Sequence, residues 1–411
     1  MIANRFCIFL MICLMAYPFI QTNYAQEPEK RDVNSRVSAS GSAQNPSPFD
    51  FTTIVQGGIF RNFAGGLRTG NDYMGRVHLI ISLDTKKAGL WKNGKLLVNG
   101  VNAHGGNPTS TYIGDFQPIS RNEAAPERTG LFELWYQHHF GKVSITVGLH
   151  DMNSALGLSE YGGNSINSAF GMNPSITPNV GNAFSIFPRT MPGVYLQANA
   201  LKIGKNLLNI KAAVYAGFAS SVEDDPYNIQ WDMDGSTHSR LEIQYVQMKG
   251  ELQRGIIKAG VMYHSGNFAN VTDTQQTVEG NLGYYLIADQ LIFPEDTKTN
   301  QGLGLFLQVA TAPGNQNLID LFYAFGINYK GIFPKREQDI LFLGFLNSMM
   351  NDNLVATGFE KNRSLIELNY ALRLGEYFTI QPDLQYIINP GAQPQLEDAL
   401  MGLLRFSINF Y

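Results

Sequence analysis

Cysteine is almost missing from this sequence. Only Cys7 and Cys13 occur among 411 residues, and both fall within the first 25. Downstream of them there is no disulfide framework, thiol nucleophile or thiolate metal site. A surplus of positive charge is missing too: the formal net charge is −4, which removes the basic footprint of a nucleic-acid binder. Beyond the N-terminal region no apolar run reaches the ~20 residues a membrane-spanning helix needs. What is abundant is glycine, with 41 residues, and aromatic side chains, at 12%. Both suit β-structure with tight turns and rings at a membrane interface. A mean hydropathy of −0.12 reads as soluble on its own. In a membrane barrel, however, lipid-facing and lumen-facing residues alternate and the average cancels.

Residues 1–25 have the pattern of a secretory signal: Arg5 supplies the positive start, Phe6 to Ile20 the apolar run, and Asn23-Tyr24-Ala25 a cleavage region before Gln26. Cys13 follows Ile12 where a lipoprotein signal needs a small residue, so lipidation is not expected. Residues 26–48 are polar and rich in Ser, Asn and Pro, the composition of a disordered periplasmic leader. Residues 49–411 then form one domain of strands.

Sixteen segments alternate with period 2: 51–60, 73–84, 94–104, 130–140, 142–151, 192–201, 206–217, 237–247, 255–265, 282–292, 302–311, 321–330, 338–347, 362–374, 376–387 and 400–411. In 376–387, Phe378, Ile380, Leu384 and Tyr386 face one way, and Thr379, Gln381, Asp383 and Gln385 the other. In 130–140, Phe132, Leu134, Tyr136 and Phe140 make the apolar face opposite Glu133, Trp135, Gln137 and His139. The last strand is among the most apolar, with Leu400, Leu404, Phe406, Ile408 and Phe410 on one face. A strand that must pair with the first to remove an open edge has this character.

The connections separate a barrel from a soluble sandwich. Gly141-Lys142, Lys202 to Lys205 and Gly375-Glu376 are short, whereas 105–129, 152–191, 218–236, 266–281 and 348–361 are long. Alternation of short and long is the rhythm of an up-and-down barrel with short periplasmic turns and long external loops. Greek-key sandwiches have no reason to keep it. The expected fold is therefore an all-β, transmembrane, up-and-down antiparallel β-barrel of about 16 strands in the bacterial outer membrane. The longest connection, 152–191, is expected to fold into the lumen, which would otherwise be wide and water-filled.

Several stretches resemble the carbohydrate-selective porin (OprB) family. They are Ile119-Ser120-Arg121-Asn122-Glu123-Ala124, Arg128-Thr129-Gly130-Leu131-Phe132-Glu133-Leu134-Trp135-Tyr136-Gln137 and Asn167-Ser168-Ala169-Phe170-Gly171. Phe187-Pro188 with Pro192-Gly193-Val194, and Ile380 to Gly391, complete the set in chain order. The resemblance implies a 16-stranded channel favouring glucose and other small sugars; the region 218–300 matches only loosely. Sugar selectivity needs donors and acceptors for hydroxyls and flat apolar platforms for the pyranose ring. Candidates on lumen-facing rows are Glu133, Trp135, Gln137 and His139; Arg240, Glu242 and Gln244; Glu367, Asn369 and Arg373; and Gln381 and Asp383. Arg121 and Glu123 are read as a structural pair near the entrance.

Rival readings find less in the sequence. A general diffusion porin is the nearest alternative. A hydrolase on a barrel wall would need a pair such as His139 and Ser144, but there is no Gly-x-Ser-x-Gly elbow. Asp232-Met233-Asp234-Gly235, in an acidic stretch with Glu223, Asp224 and Asp225, lacks the remaining ligands of a calcium loop. No catalytic group, cofactor or metal is expected. The partners are small sugars as permeants and outer-membrane lipid, with no nucleic acid; a homotrimer is compatible with the pattern.

Overall fold

The computed structural model describes residues 47–124, 126–171, 173, 175–181, 184–231, 235–296 and 299–411. The signal and nearly all of the leader read from the sequence lie outside these residues.

Sixteen strands follow one another around a closed antiparallel barrel. They are β1 (Phe49–Gly66), β2 (Gly70–Asp84), β3 (Gly94–Gly105), β4 (Arg128–Phe140), β5 (Val143–Leu149), β6 (Pro192–Ile203), β7 (Asn206–Ala216) and β8 (Thr237–Lys249). The second half comprises β9 (Leu252–Ala269), β10 (Thr277–Pro294), β11 (Gly302–Thr311), β12 (Ile319–Lys330), β13 (Ile340–Met350), β14 (Asn362–Leu374), β15 (Phe378–Ile388) and β16 (Glu397–Phe410). Every strand pairs with its chain neighbour, and β16 closes on β1 from Thr53↔Phe410 to Gly66↔Glu397. All sixteen overlap the expected segments, with ends within about four residues except that β1 runs six residues further, to Gly66, and β10 starts five residues earlier, at Thr277. The four longest connections, 106–127, 150–191, 217–236 and 351–361, all lie at one end, which marks it as external.

Two local departures have identifiable causes. Connection 266–281 is not long: β9 and β10 run on to Ala269 and from Thr277. The alternation of buried and exposed residues continues through Ser265-Gly266-Asn267-Phe268. It is hard to see in the sequence because glycine occupies Gly266, and because Gly280, at φ +75°, sits at a bulge between Glu279 and Asn281. The second departure corrects a face. Phe132 is buried against His78 and Phe187 rather than turned to lipid with Leu134 and Tyr136. A bulge opposite Asn99 and Gly100 inserts one extra residue into β4, so Phe132 and Glu133 both point inward.

The outer wall is apolar, with Leu241, Ile243, Leu286, Leu305, Ile366, Leu368 and Leu404 among its exposed side chains. That exposure suits lipid rather than water. The principal hydrophobic core lies inside the barrel. The described residues of 150–191 fold into the lumen, and Met152, Leu156, Ile166, Phe170 and Ile176 are fully buried there. Phe170 meets Phe306 and Phe342 edge-on, at 5.9 and 5.3 Å between ring centres. Its ring rests on Gly344, where a Cβ would come within 2.7 Å of Phe170 Cζ. An inward loop thus has an apolar anchor as well as polar ones.

Candidate functional site

A chain that leaves its sheet and enters a barrel carries backbone N–H and C=O groups that a ladder no longer pairs. Here the wall supplies many of the partners. Four carboxylates on β4, β8, β10 and β14 accept from the loop's amides. Glu133 accepts from Asp151 N at 3.2 Å, and Glu242 from Gly157 N at 2.8 Å. Asp289 accepts from Glu160 N and Tyr161 N at 2.9 and 3.2 Å. Glu367 accepts from Ile166 N and Asn167 N at 2.5 and 3.2 Å. Donors on the wall meet the loop's carbonyls in turn: Lys211 Nζ to Ala155 O at 2.9 Å, Lys258 Nζ to Leu158 O at 2.7 Å and Gln308 Nε2 to Phe170 O at 2.7 Å. The loop is held by a collar of side chains drawn from strands on opposite sides of the lumen.

Most residues singled out from the sequence as lumen-facing belong to this collar. Glu133 also accepts from Asn99 Nδ2 at 3.0 Å and from Trp135 Nε1 at 3.2 Å. Gln137 donates to Thr146 Oγ1 at 3.0 Å. The Arg240 guanidinium lies 4.5 Å from the centre of the Phe184 ring, and Gln244 donates to Glu242 at 2.6 Å. Asn369 donates to Glu367 at 2.7 Å, Gln381 to Asn164 O at 3.0 Å, and Asp383 accepts from Gln385 at 2.8 Å. These side chains are buried. His139 and Arg373 stand apart at the periplasmic end; Arg373 Nη2 donates to Glu376 O at 3.3 Å. Arg121 and Glu123 turn to different partners. Arg121 donates to Gly163 O at 2.7 Å and to Ser165 O, while Glu123 accepts from Thr109 N and Oγ1 at 2.8 and 2.6 Å. Burial pushes the Glu123 carboxyl up to about 7, against the lowering effect of those two bonds. Asp225, from the acidic stretch, is buried and organises its own turn by accepting from Ile229 N and Gln230 N. Asp232 and Asp234 lie outside the described residues.

The lumen side of β16, β1 and β2 is different, because several of its polar side chains remain half-exposed. Gln56, Arg76, Arg405 and Ser407 line it. Arg76 Nε donates to Gln56 Oε1 at 2.8 Å, its Nη1 reaches Arg121 O at 3.3 Å, and its guanidinium lies 5.0 Å from the centre of the Phe187 ring. Arg405 donates to Gln381 Oε1. Half-exposed Phe187 and Asp151, the latter with its carboxyl enclosed, complete the group at the two ends of the inward loop. Burial, and then the neighbouring Glu133 charge, push the Asp151 carboxyl up to about 8. The arrangement offers guanidinium donors, amide groups and one aromatic face around a water-accessible passage. Sequence reading did not select Gln56, Arg76, Phe187 or Arg405 as contacts. A signal existed for three of them: Gln56 and Arg76 alternate with Val55 and Val77, and Arg405 with Leu404 and Phe406.

A closed 16-strand barrel narrowed by its third external loop and lined by a polar passage defines an outer-membrane porin. The sequence profile of the carbohydrate-selective porin, OprB family, matches residues 68–410, and the chain belongs to that family. Among solved structures, the high-pH structure of OprB from Pseudomonas putida superposes with a TM-score of 0.81 at 17% identity, covering 94% of this chain and 100% of that one. Porin B of Pseudomonas aeruginosa is 24% identical over 152 residues, and the putative porin QuiX of Acinetobacter baylyi is 20% identical over 177. These alignments span 32% and 40% of the two relatives, and 31% and 38% of this chain.

Proposed function

We propose that the barrel lets glucose and other small sugars diffuse passively down their gradients across the outer membrane. The observation that carries this reading is the half-exposed group of Gln56, Arg76, Phe187 and Arg405 beside the inward loop. An aromatic face beside planar donors suits a pyranose, whose C–H face is apolar and whose rim carries hydroxyls. Diffusion through a preformed passage needs no cofactor and no energy source. In this reading the buried collar of Glu133, Glu242, Asp289 and Glu367 positions the loop, and the open wall meets the permeant. Residues 1–25 act as the export signal and 26–48 as a periplasmic leader.

The test is conductance in planar bilayers with glucose titrated into both chambers. Saturable block of the ion current supports a sugar-binding passage. A current that falls only in proportion to solution viscosity leaves a general diffusion porin instead. Proteoliposomes that swell no faster in glucose than protein-free ones would remove the permeation claim altogether.

A further inference from the structure

The outer wall carries a feature that conduction does not use. On β8, Leu241 and Ile243 face outward into lipid, as expected. Two steps further toward the periplasmic end the same face turns polar, with Tyr245 and then Gln247. Asn206 of β7 joins them, donating from Nδ2 to the Tyr245 hydroxyl at 2.5 Å and accepting from Met248 N at 3.0 Å. These residues line a recess of about 640 Å³, flanked by exposed Lys205 and Lys249, with Arg254 at its edge. Above it, still on the outer face, an apolar groove of about 490 Å³ runs over β8 to β11. Its floor is Ala259, set between Ile243 and Leu286 on the adjacent strands, and Val261, set between Leu241 and Tyr284.

We propose that this recess and groove form a binding site for a phospholipid with an anionic headgroup in the periplasmic leaflet. Three observations converge on that occupant. First, polar side chains on a lipid-facing surface have a use only where headgroups begin, and the recess lies at that edge. Second, the edge is cationic: the periplasmic turns and strand ends of β2 to β9 expose Lys86, Lys87, Lys92, Lys142, Lys205 and Lys249 against Glu251, whereas the external loops and strand ends expose Glu223, Asp224, Asp273 and Glu279. The charge complementarity therefore selects an anion, and in one leaflet. Third, the dimensions fit. From Gln247 to Leu241 a strand spans ~20 Å, which at the usual tilt rises about 14 Å, close to half the ~30 Å hydrocarbon core. One acyl chain fits that height. The inference depends on the barrel's place in the membrane and not on which solute it passes.

The full-length protein, purified in detergent, is titrated with phosphatidylglycerol or phosphatidylcholine and followed by native mass spectrometry. Phosphatidylglycerol should be retained preferentially. The double variant Lys205→Gln/Lys249→Gln should lose that preference by about fivefold for each lysine. Lys86→Gln/Lys87→Gln, on the same rim but away from the recess, should keep it. Heat-modifiable gel migration and unchanged conductance confirm that each variant is a folded channel. Equal retention of the two lipids, or a Lys205/Lys249 variant that binds like the parent, overturns the site. Equal loss in the two double variants reduces it to diffuse charge and overturns it as well. So does a second copy of the chain found covering this face by cross-linking.

Discussion

The lumen has two walls of different character. Under the inward loop, from β8 to β15, polar side chains such as Glu242, Asp289, Glu367 and Gln385 are buried and bonded to the loop or to one another. Adjoining it, on β16, β1 and β2, Gln56, Arg76 and Arg405 are half-exposed. Both walls are built from the same residue types at the same period. What differs is whether a second layer covers them. A carboxylate under the loop acts as a structural acceptor whose removal strands buried donors, whereas a guanidinium on the open wall keeps part of its surface in water.

That contrast is broken or sharpened by four measurements. The largest effect is expected from Glu367→Ala, which leaves the amides of Ile166 and Asn167 without their acceptor. At ~1–3 kcal/mol for each buried unpaired donor, stability falls by about 3 kcal/mol or more. The loop should loosen, giving a lower thermal midpoint and a larger single-channel current. Arg76→Ala should do a different kind of damage: a smaller loss of thermal stability than Glu367→Ala, with the glucose concentration for half-block raised about tenfold, since a charged hydrogen bond contributes ~1.5–3 kcal/mol. A comparable loss of stability in both variants would erase the distinction between the walls. Phe187→Ala should weaken glucose block by roughly fivefold, given ~0.5–1.5 kcal/mol for a ring contact. The smallest effect concerns pH. With its carboxyl near 8, Asp151 is neutral at pH 7 and gains a negative charge as pH rises to 9. The reversal potential in a salt gradient should then shift toward cation selectivity, and Asp151→Asn should abolish the shift.

The barrel was legible in the sequence because its signal is repeated. Period 2 and the alternation of short turns with long loops recur around the ring, so an ambiguous strand is carried by its neighbours. Single bulges were not legible. One extra residue beside Asn99 and Gly100 turns Phe132 inward, and nothing in the local pattern of alternating residues announces it. The site was half legible for a deeper reason. Alternation shows that Glu133, Glu242 and Glu367 face the lumen, but not that a loop lies over them. The coverage depends on pairings such as Asn164 with Gln381, 217 residues apart, which no local pattern encodes. Lumen-facing apolar residues such as Phe306 and Phe342 were a trace of that second layer, since a water-filled lumen has no use for them.

The same long separations impose an order on assembly. The loop leaves β5 early in the chain, yet Glu367, its acceptor at Ile166 and Asn167, lies some 200 residues later, 201 from Ile166. Gln385 meets Asn167 from 218 residues away. Contacts of that span form late, after the intervening chain has been organised and the entropy of closing it has been met. The loop finds its collar only when β8, β10, β14 and β15 already stand in register. A barrel with a slipped strand would therefore present misplaced acceptors and stay wide. The inward loop serves as an inspection of the finished wall.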